Sequence, residues 1–143
     1  MASALRPGGV LLAEEGDYGL FSYSGHPDAA WSTEQWRRRA DRLRAARTVD
    51  YYLGRRLPGL VAGAGLTVTG GDVDATVARH GDAPFEWQRV SSAAAAPALI
   101  HAGHLTADEH DRVMRMMDCP TTTFVSGAVI SVWATRPASD ASP

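Results

Sequence analysis

The chain has 143 residues, of which 45% are hydrophobic and 21% are charged, and its formal net charge is −2. That balance is typical of a globular domain and excludes an intrinsically disordered chain. A net charge so close to zero gives no general argument for binding nucleic acid. The one cysteine, Cys119, excludes both an intrachain disulfide and a cysteine-based zinc site.

The first residues lack the charged and apolar regions of a signal peptide, and no apolar run approaches the length of a membrane span. We therefore expect a cytoplasmic protein with no membrane partner.

A turn followed by a strand opens the chain. Pro7 fixes φ, while Gly8 and Gly9 supply backbone angles that other residues resist. Residues 10–13 are apolar without alternation, which predicts a strand covered on both faces. In parallel α/β sheets ligands gather beyond the carboxyl ends of the strands, so polar residues at this point are candidate site residues.

Four such residues follow the strand: Glu14, Glu15, Asp17 and Tyr18. Neighbouring carboxylates can raise the pKa of one of them and so create a general base. The alternative is that one acid caps a neighbouring helix or faces solvent.

Residues 16–30 are rich in Gly, Ser, Pro and Asp, which predicts a loop that packs its aromatic side chains. Ser32 as N-cap, with Gln35 completing a capping box, predicts that a helix begins there. Trp31 and Trp36 occupy the positions of a hydrophobic staple. The arginines that follow predict the solvated face of this helix rather than a phosphate-binding surface.

The middle of the chain combines a second helix with an interrupted strand. Pro58 predicts a break near Leu57, and Gly65 predicts the end of the helix. Residues 66–77 predict a strand in which the apolar residues change from even-numbered to odd-numbered positions. The pair Gly70-Gly71 lies at the change and predicts a bulge.

Two helices are predicted next. Trp87, Val90 and Ala94 form the apolar stripe of the first helix. Thr106 and Glu109 form a capping box for the second.

The chain then ends in a strand. Residues 123–135 have little polar alternation, which predicts a strand covered on both faces. Residues 138–143 predict a frayed tail.

Two motifs suggest other kinds of site, but neither fits the pattern that such a site requires. Gly63-Ala64-Gly65 resembles the start of a dinucleotide fingerprint, but it follows a helix and precedes a strand, which is the reverse of the required order. His101, His104 and His110 match no usual zinc spacing, so no metal is predicted.

The order of three stretches carries a resemblance. Residues 5–15 contain Leu-Arg-Pro-Gly-Gly, then an apolar strand and acids; residues 53–66 form a helix and a turn into a strand; residues 124–137 end in Trp-Ala-Thr-Arg-Pro. In this order they resemble the fifth, sixth and seventh strand regions of class I S-adenosylmethionine-dependent methyltransferases, in which the seventh strand runs antiparallel. The helices between the second and the third of these stretches resemble an insertion between the sixth and seventh strands that is found in many family members acting on small molecules.

The resemblance implies an α/β fold: the C-terminal part of a Rossmann-like methyltransferase sheet, with one parallel-type strand, then an antiparallel strand pair, and four to five helices. It implies a partial methyltransferase domain in residues 1–137, from strand five to strand seven, with a helical insertion at about 83–118 and a disordered tail at 138–143. The family's glycine-rich loop, which binds the cofactor, has no counterpart in this sequence. No cofactor-binding residue is therefore assigned to this chain.

The function implied is methyl transfer from S-adenosylmethionine to a small-molecule acceptor, with no nucleic-acid partner. As a C-terminal fragment, this chain would contribute the acceptor side and is not expected to be active in isolation. The candidate catalytic residues are Glu15 and Asp17, as a general base or for acceptor orientation. The candidate substrate-binding residues are Glu14, Tyr18, Trp31 and Trp36.

Two other functions stay open. One is a non-catalytic methyltransferase remnant that self-associates, or pairs with another chain, through an uncovered sheet edge. The other is a small acid–base enzyme that uses Glu15 and Asp17 without S-adenosylmethionine.

Overall fold

A computed structural model describes residues 2–138, so the tail predicted for 138–143 lies almost entirely outside the described residues. The described chain divides into two compact units, one formed by residues 2–19, 51–75 and 127–138 and the other by residues 20–50 and 76–126. In chain order the helices and strands are β1 (Val10–Asp17), β2 (Ser22–Ser24), α1 (Ala29–Ala45), α2 (Leu57–Gly63), β3 (Thr67–Asp74), β4 (Val77–Arg79), α3 (Ala83–His101), α4 (Ala107–Met117), β5 (Thr123–Val125) and β6 (Ala128–Thr135).

The first unit is built on a three-stranded antiparallel sheet in the order β1-β6-β3. The register of β3 against β6 shifts between Val68 and Gly70, which confirms the predicted bulge. A mixed α/β fold is therefore confirmed, with four α-helices in the described residues.

The predicted parallel-type strand is not seen. β1 pairs antiparallel with β6 along its whole length, from Val10 opposite Thr135 to Asp17 opposite Ala128. Within the described residues β6 is the one strand that pairs with β1, and it runs in the opposite direction. An apolar run alone does not reveal the direction of the neighbouring strand.

The expectation that β1 is covered on both faces is also wrong. Val10 and Leu12 are 65% and 53% exposed, whereas Leu11 and Ala13 pack against the core. Successive side chains of a strand point to opposite faces, and the core, which includes residues of α2, lies against one of them. The buried core of this unit consists of Val61, Leu66, Val132 and Ala134.

The last predicted strand, residues 123–135, is two strands in two different sheets. It breaks at Ser126 and Gly127, so that β5 pairs with β2 and β4 while β6 pairs with β1 and β3. Val129 and Trp133 of β6 are exposed, so the prediction that both faces are covered fails here as well. The largely apolar pattern of this stretch does not by itself show that the chain changes sheet.

The second unit contains an antiparallel sheet in the order β2-β5-β4 together with α1, α3 and α4. The stretch predicted as a loop contains β2, and its aromatic residues Phe21 and Tyr23 are buried as expected. Phe124 of β5 lies centrally, with ring centroids 6.2 Å from Phe21 and 5.7 Å from Phe85.

Of the two predicted capping boxes, one is confirmed and one is wrong. At the start of α4 the Thr106 hydroxyl accepts from the Glu109 N–H at 3.2 Å, and the Glu109 carboxylate accepts from the Thr106 N–H at 2.8 Å. α1 instead begins at Ala29, and the Ser32 N–H already donates to the Asp28 carbonyl at 2.8 Å. Ser32 is therefore a buried residue inside the first turns, not a cap.

Candidate functional site

The acidic end of β1 lies within the strand rather than beyond it, which separates the four residues predicted there. Glu15 is opposite Ile130 and Asp17 is opposite Ala128, so both side chains lie on the face that packs on the core. Glu14 is opposite Ser131 on the other face, where its carboxylate accepts from the Ser131 hydroxyl at 2.8 Å. Glu14 and Glu15 are therefore not a carboxylate pair.

Asp17 is the most constrained of these acids. Its side chain forms a two-point ion pair with Arg55, with Nε to Oδ2 and Nη2 to Oδ1 both at 2.6 Å. It also accepts from the backbone N–H groups of Gly19 at 2.9 Å and Arg55 at 3.0 Å. With only 5% of the residue exposed, four donors take up the carboxylate.

These donors stabilise the charged form of Asp17. The Arg55 hydrogen bond, helped by the two backbone N–H groups, outweighs the cost of burial and lowers the pKa of Asp17 to about 2. A carboxylate with so low a pKa is a weak general base near neutral pH, since efficient bases have a pKa near the working pH. The geometry favours a positioning role, in which Asp17 fixes the turn at Arg55 to the end of β1.

Glu15 differs from Asp17 in its surroundings. Its side chain is exposed, and its carboxylate accepts from the adjacent Gly16 N–H at 3.0 Å. This leaves lone pairs of both oxygens open to solvent or to an acceptor molecule. The acid–base roles of Glu15 and Asp17 stay predictions, and of the two acids Glu15 is the accessible one.

Tyr18 is fixed by a backbone hydrogen bond and by the packing of its ring. Its backbone N–H donates to the Tyr51 carbonyl at 2.8 Å, and the two rings meet edge to face with centroids 5.5 Å apart. A Cβ atom at Gly127 would lie 2.6 Å from the Tyr18 ring, so only glycine allows this approach. The ring position depends on this close packing.

A groove over β3 and β6 was not foreseen from the sequence. Its volume is about 430 Å³, and it lies on the same sheet as Glu15. A Cβ atom at Gly71 would lie 2.7 Å from the Ser131 carbonyl oxygen, which explains why this position lacks a side chain. The sequence signal for this groove is the pair Gly70-Gly71, which also forms the predicted bulge. The lining consists of Pro58, Val68, Gly70, Gly71, Asp72, Val73, Ile130, Ser131 and Val132.

The two tryptophans predicted to bind substrate belong to the second unit. The Arg112 guanidinium lies 3.9 Å from the centroid of the Trp31 ring and also pairs with the Asp28 carboxylate. The Trp36 ring packs against Phe21 with centroids 4.8 Å apart. Both rings therefore take part in the packing of α1, and a substrate role for them stays a prediction.

Both carboxylate oxygens of Asp17, the buried acid at the strand end, already accept hydrogen bonds from Arg55 and Gly19. In the described part of the chain no group of three or more His, Cys, Asp or Glu side chains is arranged to hold a metal ion.

The chain matches no known protein-family model. A comparison of its sequence with curated proteins gives no significant match. Between residues 2 and 138, no helix is both long enough and apolar enough to cross a membrane.

Proposed function

We propose that this chain is part of a class I S-adenosylmethionine-dependent methyltransferase and contributes the acceptor side of its site. The observation that carries the proposal is the order of elements together with the direction of the last strand. The resemblance implies an antiparallel final strand, and β6 runs antiparallel to both β1 and β3. The helical insertion it implies corresponds to α3 and α4.

The groove supports a small-molecule acceptor. Its volume of about 430 Å³ lies in the range of small-molecule pockets, and its lining is mainly apolar. Val73 of the groove, Ile130 and Glu15 form one row across the sheet, so Glu15 lies about 10 Å from Val73 across two strand spacings. We assign the removal of the acceptor's proton to Glu15, and the positioning of the end of β1 to Asp17.

Calorimetric titration with S-adenosylmethionine tests the proposal on two proteins. One is this chain, and the other is the product of the reading frame extended upstream of Met1. We expect binding by the extended protein and none by this chain alone. An upstream frame without a glycine-rich loop, or an extended protein that does not bind the cofactor, would refute the proposal.

The role of Glu15 is tested in the extended protein. E15Q should lower the rate of methyl transfer at least about tenfold, as expected when a general base is lost. E34Q changes another exposed acid, on α1, and should leave the rate unchanged. Equal rates for E15Q and the unmodified protein would remove Glu15 from the mechanism.

A second function, that of a non-catalytic interaction module, is favoured by the sheet edges. β1 and β3 each pair with β6 on one side, and within the described residues no strand pairs with the other side of either. Exposed strand edges of this kind are templates for pairing with another chain. Sedimentation equilibrium at rising concentration should show an increase in average mass, and a monomer at all concentrations would count against this function.

A further inference from the structure

The first sheet has one face against the core and one open face, here called the outer face. Residues that are paired across the sheet share a face, so the composition of the outer face follows from the register. It is divided into an apolar end and an acidic end. The apolar end carries Val10, Leu12 and Trp133, and the acidic end carries Glu14, Asp72 and Asp74.

The apolar end is a continuous surface. Leu12 on β1 and Gly70 on β3 are both paired with Trp133 of β6. Gly70 has no side chain, and a Cβ atom there would lie 3.6 Å from the Trp133 ring, which is an ordinary van der Waals distance, so the ring lies beside the backbone of β3. Val10 extends the patch and is among the most exposed large apolar side chains of the described chain. Clustered apolar side chains of this kind gain free energy when a partner buries them.

The acidic end has its charges on both sides of the central strand. Glu14 and Asp72 flank Ser131, and Asp74 is paired with Val129. The paired residues of the outer face include no lysine or arginine. A partner therefore needs cationic side chains on both sides of its apolar contact, at one end only.

The dimensions select the kind of partner. Eight-residue strands are about 26 Å long, and three strands are about 10 Å wide between the outer backbones. One α-helix about 10 Å across covers that width, and about 17 residues cover that length. We propose that the outer face binds an amphipathic α-helix of another polypeptide, with an apolar stripe flanked at one end by lysine or arginine.

This inference goes beyond the methyltransferase proposal and does not depend on it, since it requires neither cofactor nor catalysis. It also differs from edge pairing, which uses backbone groups of β1 and β3 rather than side chains. A second copy stacked on the same face in the same direction would bring the two acidic ends together. The same acids repel anionic membranes and nucleic acid.

The test is calorimetric titration with a synthetic helical peptide of about 18 residues. The peptide has leucines at helical spacing and lysines on both sides of that stripe at one end. We expect micromolar binding at low salt that weakens as salt is added. A peptide of the same composition in scrambled order, and one with glutamate in place of lysine, should not bind.

Two multiple variants locate the contact. E14Q/D72N/D74N should weaken peptide binding about tenfold, because three ion pairs at an accessible surface are lost. V10T/L12T keeps β propensity while removing apolar surface and should weaken binding by a similar factor. The matched controls are E34Q/D41N/D111N, which removes three exposed acids of the second unit, and V77T, which changes an exposed valine of β4. Both controls should bind as the unmodified chain does.

Three results would overturn the inference: no binding of the basic peptide, equal binding of the scrambled peptide, or binding that both outer-face variants leave unchanged. A fourth is a dimer that V10T/L12T dissociates, since the occupant of the face would then be a second copy. Circular dichroism of each variant shows whether it is folded before any binding result is used.

Discussion

Asp17 and Arg55 show how a single ion pair fixes one end of β1. They lie 38 residues apart, and no local pattern in the sequence connects them. Position at a strand end predicted that Asp17 matters, but the structure places it in a closed set of hydrogen bonds. Gly54, directly before Arg55, completes the arrangement because it packs against the backbone and side chains of β1 and β6.

D17N tests the contribution of this ion pair. The pKa of Asp17 is lowered from 3.8 to about 2 in the folded state, so the stabilisation is fully present above pH 4 and is lost as pH falls towards 2. Arg55 is 57% exposed, which reduces the gain through solvent screening, and we expect D17N to lower the free energy of unfolding by about 1–2 kcal/mol at pH 7. Urea denaturation at pH 7 and pH 3 measures the free energy of unfolding. The difference between D17N and the unmodified chain should be smaller at pH 3. The matched control, E34Q, removes the exposed partner of Arg38 and should cost less; an equal loss in both variants would contradict the prediction.

G54A tests the close approach to β1. A Cβ atom there would lie 2.9 Å from the Glu15 carbonyl oxygen and 2.9 Å from Ile130 Cγ1. Such overpacking should lower the free energy of unfolding by about 1–3 kcal/mol. A Cβ atom added at Gly59, inside α2, would have no neighbouring atom within 4 Å. G59A should therefore raise the free energy of unfolding by up to about 1 kcal/mol, because alanine has a higher helix propensity than glycine. Thermal melts of the two variants should move in opposite directions, and parallel shifts would argue against the predicted contact.

At the scale of elements, the sequence is informative where the stabilising interactions are local. The cap of α4 and the end of α2, where Gly65 has a φ of +82°, depend on residues only a few positions apart. The start of α1 is decided instead by burial, since Ser32 and Thr33 both lie in the core and Thr33 bonds to the Tyr23 N–H. No pattern within the helix contains that information.

The two predicted capping boxes give a paired test. T106A removes a side chain that caps the Glu109 N–H and should lower the free energy of unfolding by about 1 kcal/mol. S32A removes a buried hydroxyl that has no hydrogen-bond partner among the described residues, so its effect should be near zero or stabilising. Urea denaturation of both variants measures the difference, and a larger loss for S32A would mean that Ser32 does act as a cap.

At the scale of the whole molecule, strand pairing is the part that the sequence does not reveal. Apolar runs located β1 and β6, but direction, order and coverage depend on partners more than a hundred residues away, such as Leu12 and Trp133. The candidate site follows the same rule. Glu14, Glu15 and Asp17 were found from position, whereas the strand alternation that separates Glu14 from the others, and the groove, required the pairing of β6 with both neighbours.

The open edge of β3 predicts self-association. Thr67 and Val73 are exposed on this edge strand, and lysine at an edge opposes pairing with another chain. In sedimentation equilibrium, T67K/V73K should shift the average mass towards the monomer. V49K places one lysine outside any strand, at an exposed valine, and should leave self-association unchanged. A loss of association in V49K as well would assign the effect to charge alone.

The central position of β6 has a consequence for synthesis on the ribosome. Among the described residues, β6 is the one strand that pairs with β1 and β3, and it begins only at Ala128, whereas β3 ends at Asp74. During that interval both strands carry unpaired backbone groups, whereas the second sheet can already form because β2, β4 and β5 precede β6. Chaperone demand should therefore be greatest while residues 75–127 are being translated, which is the period when the first unit cannot yet close.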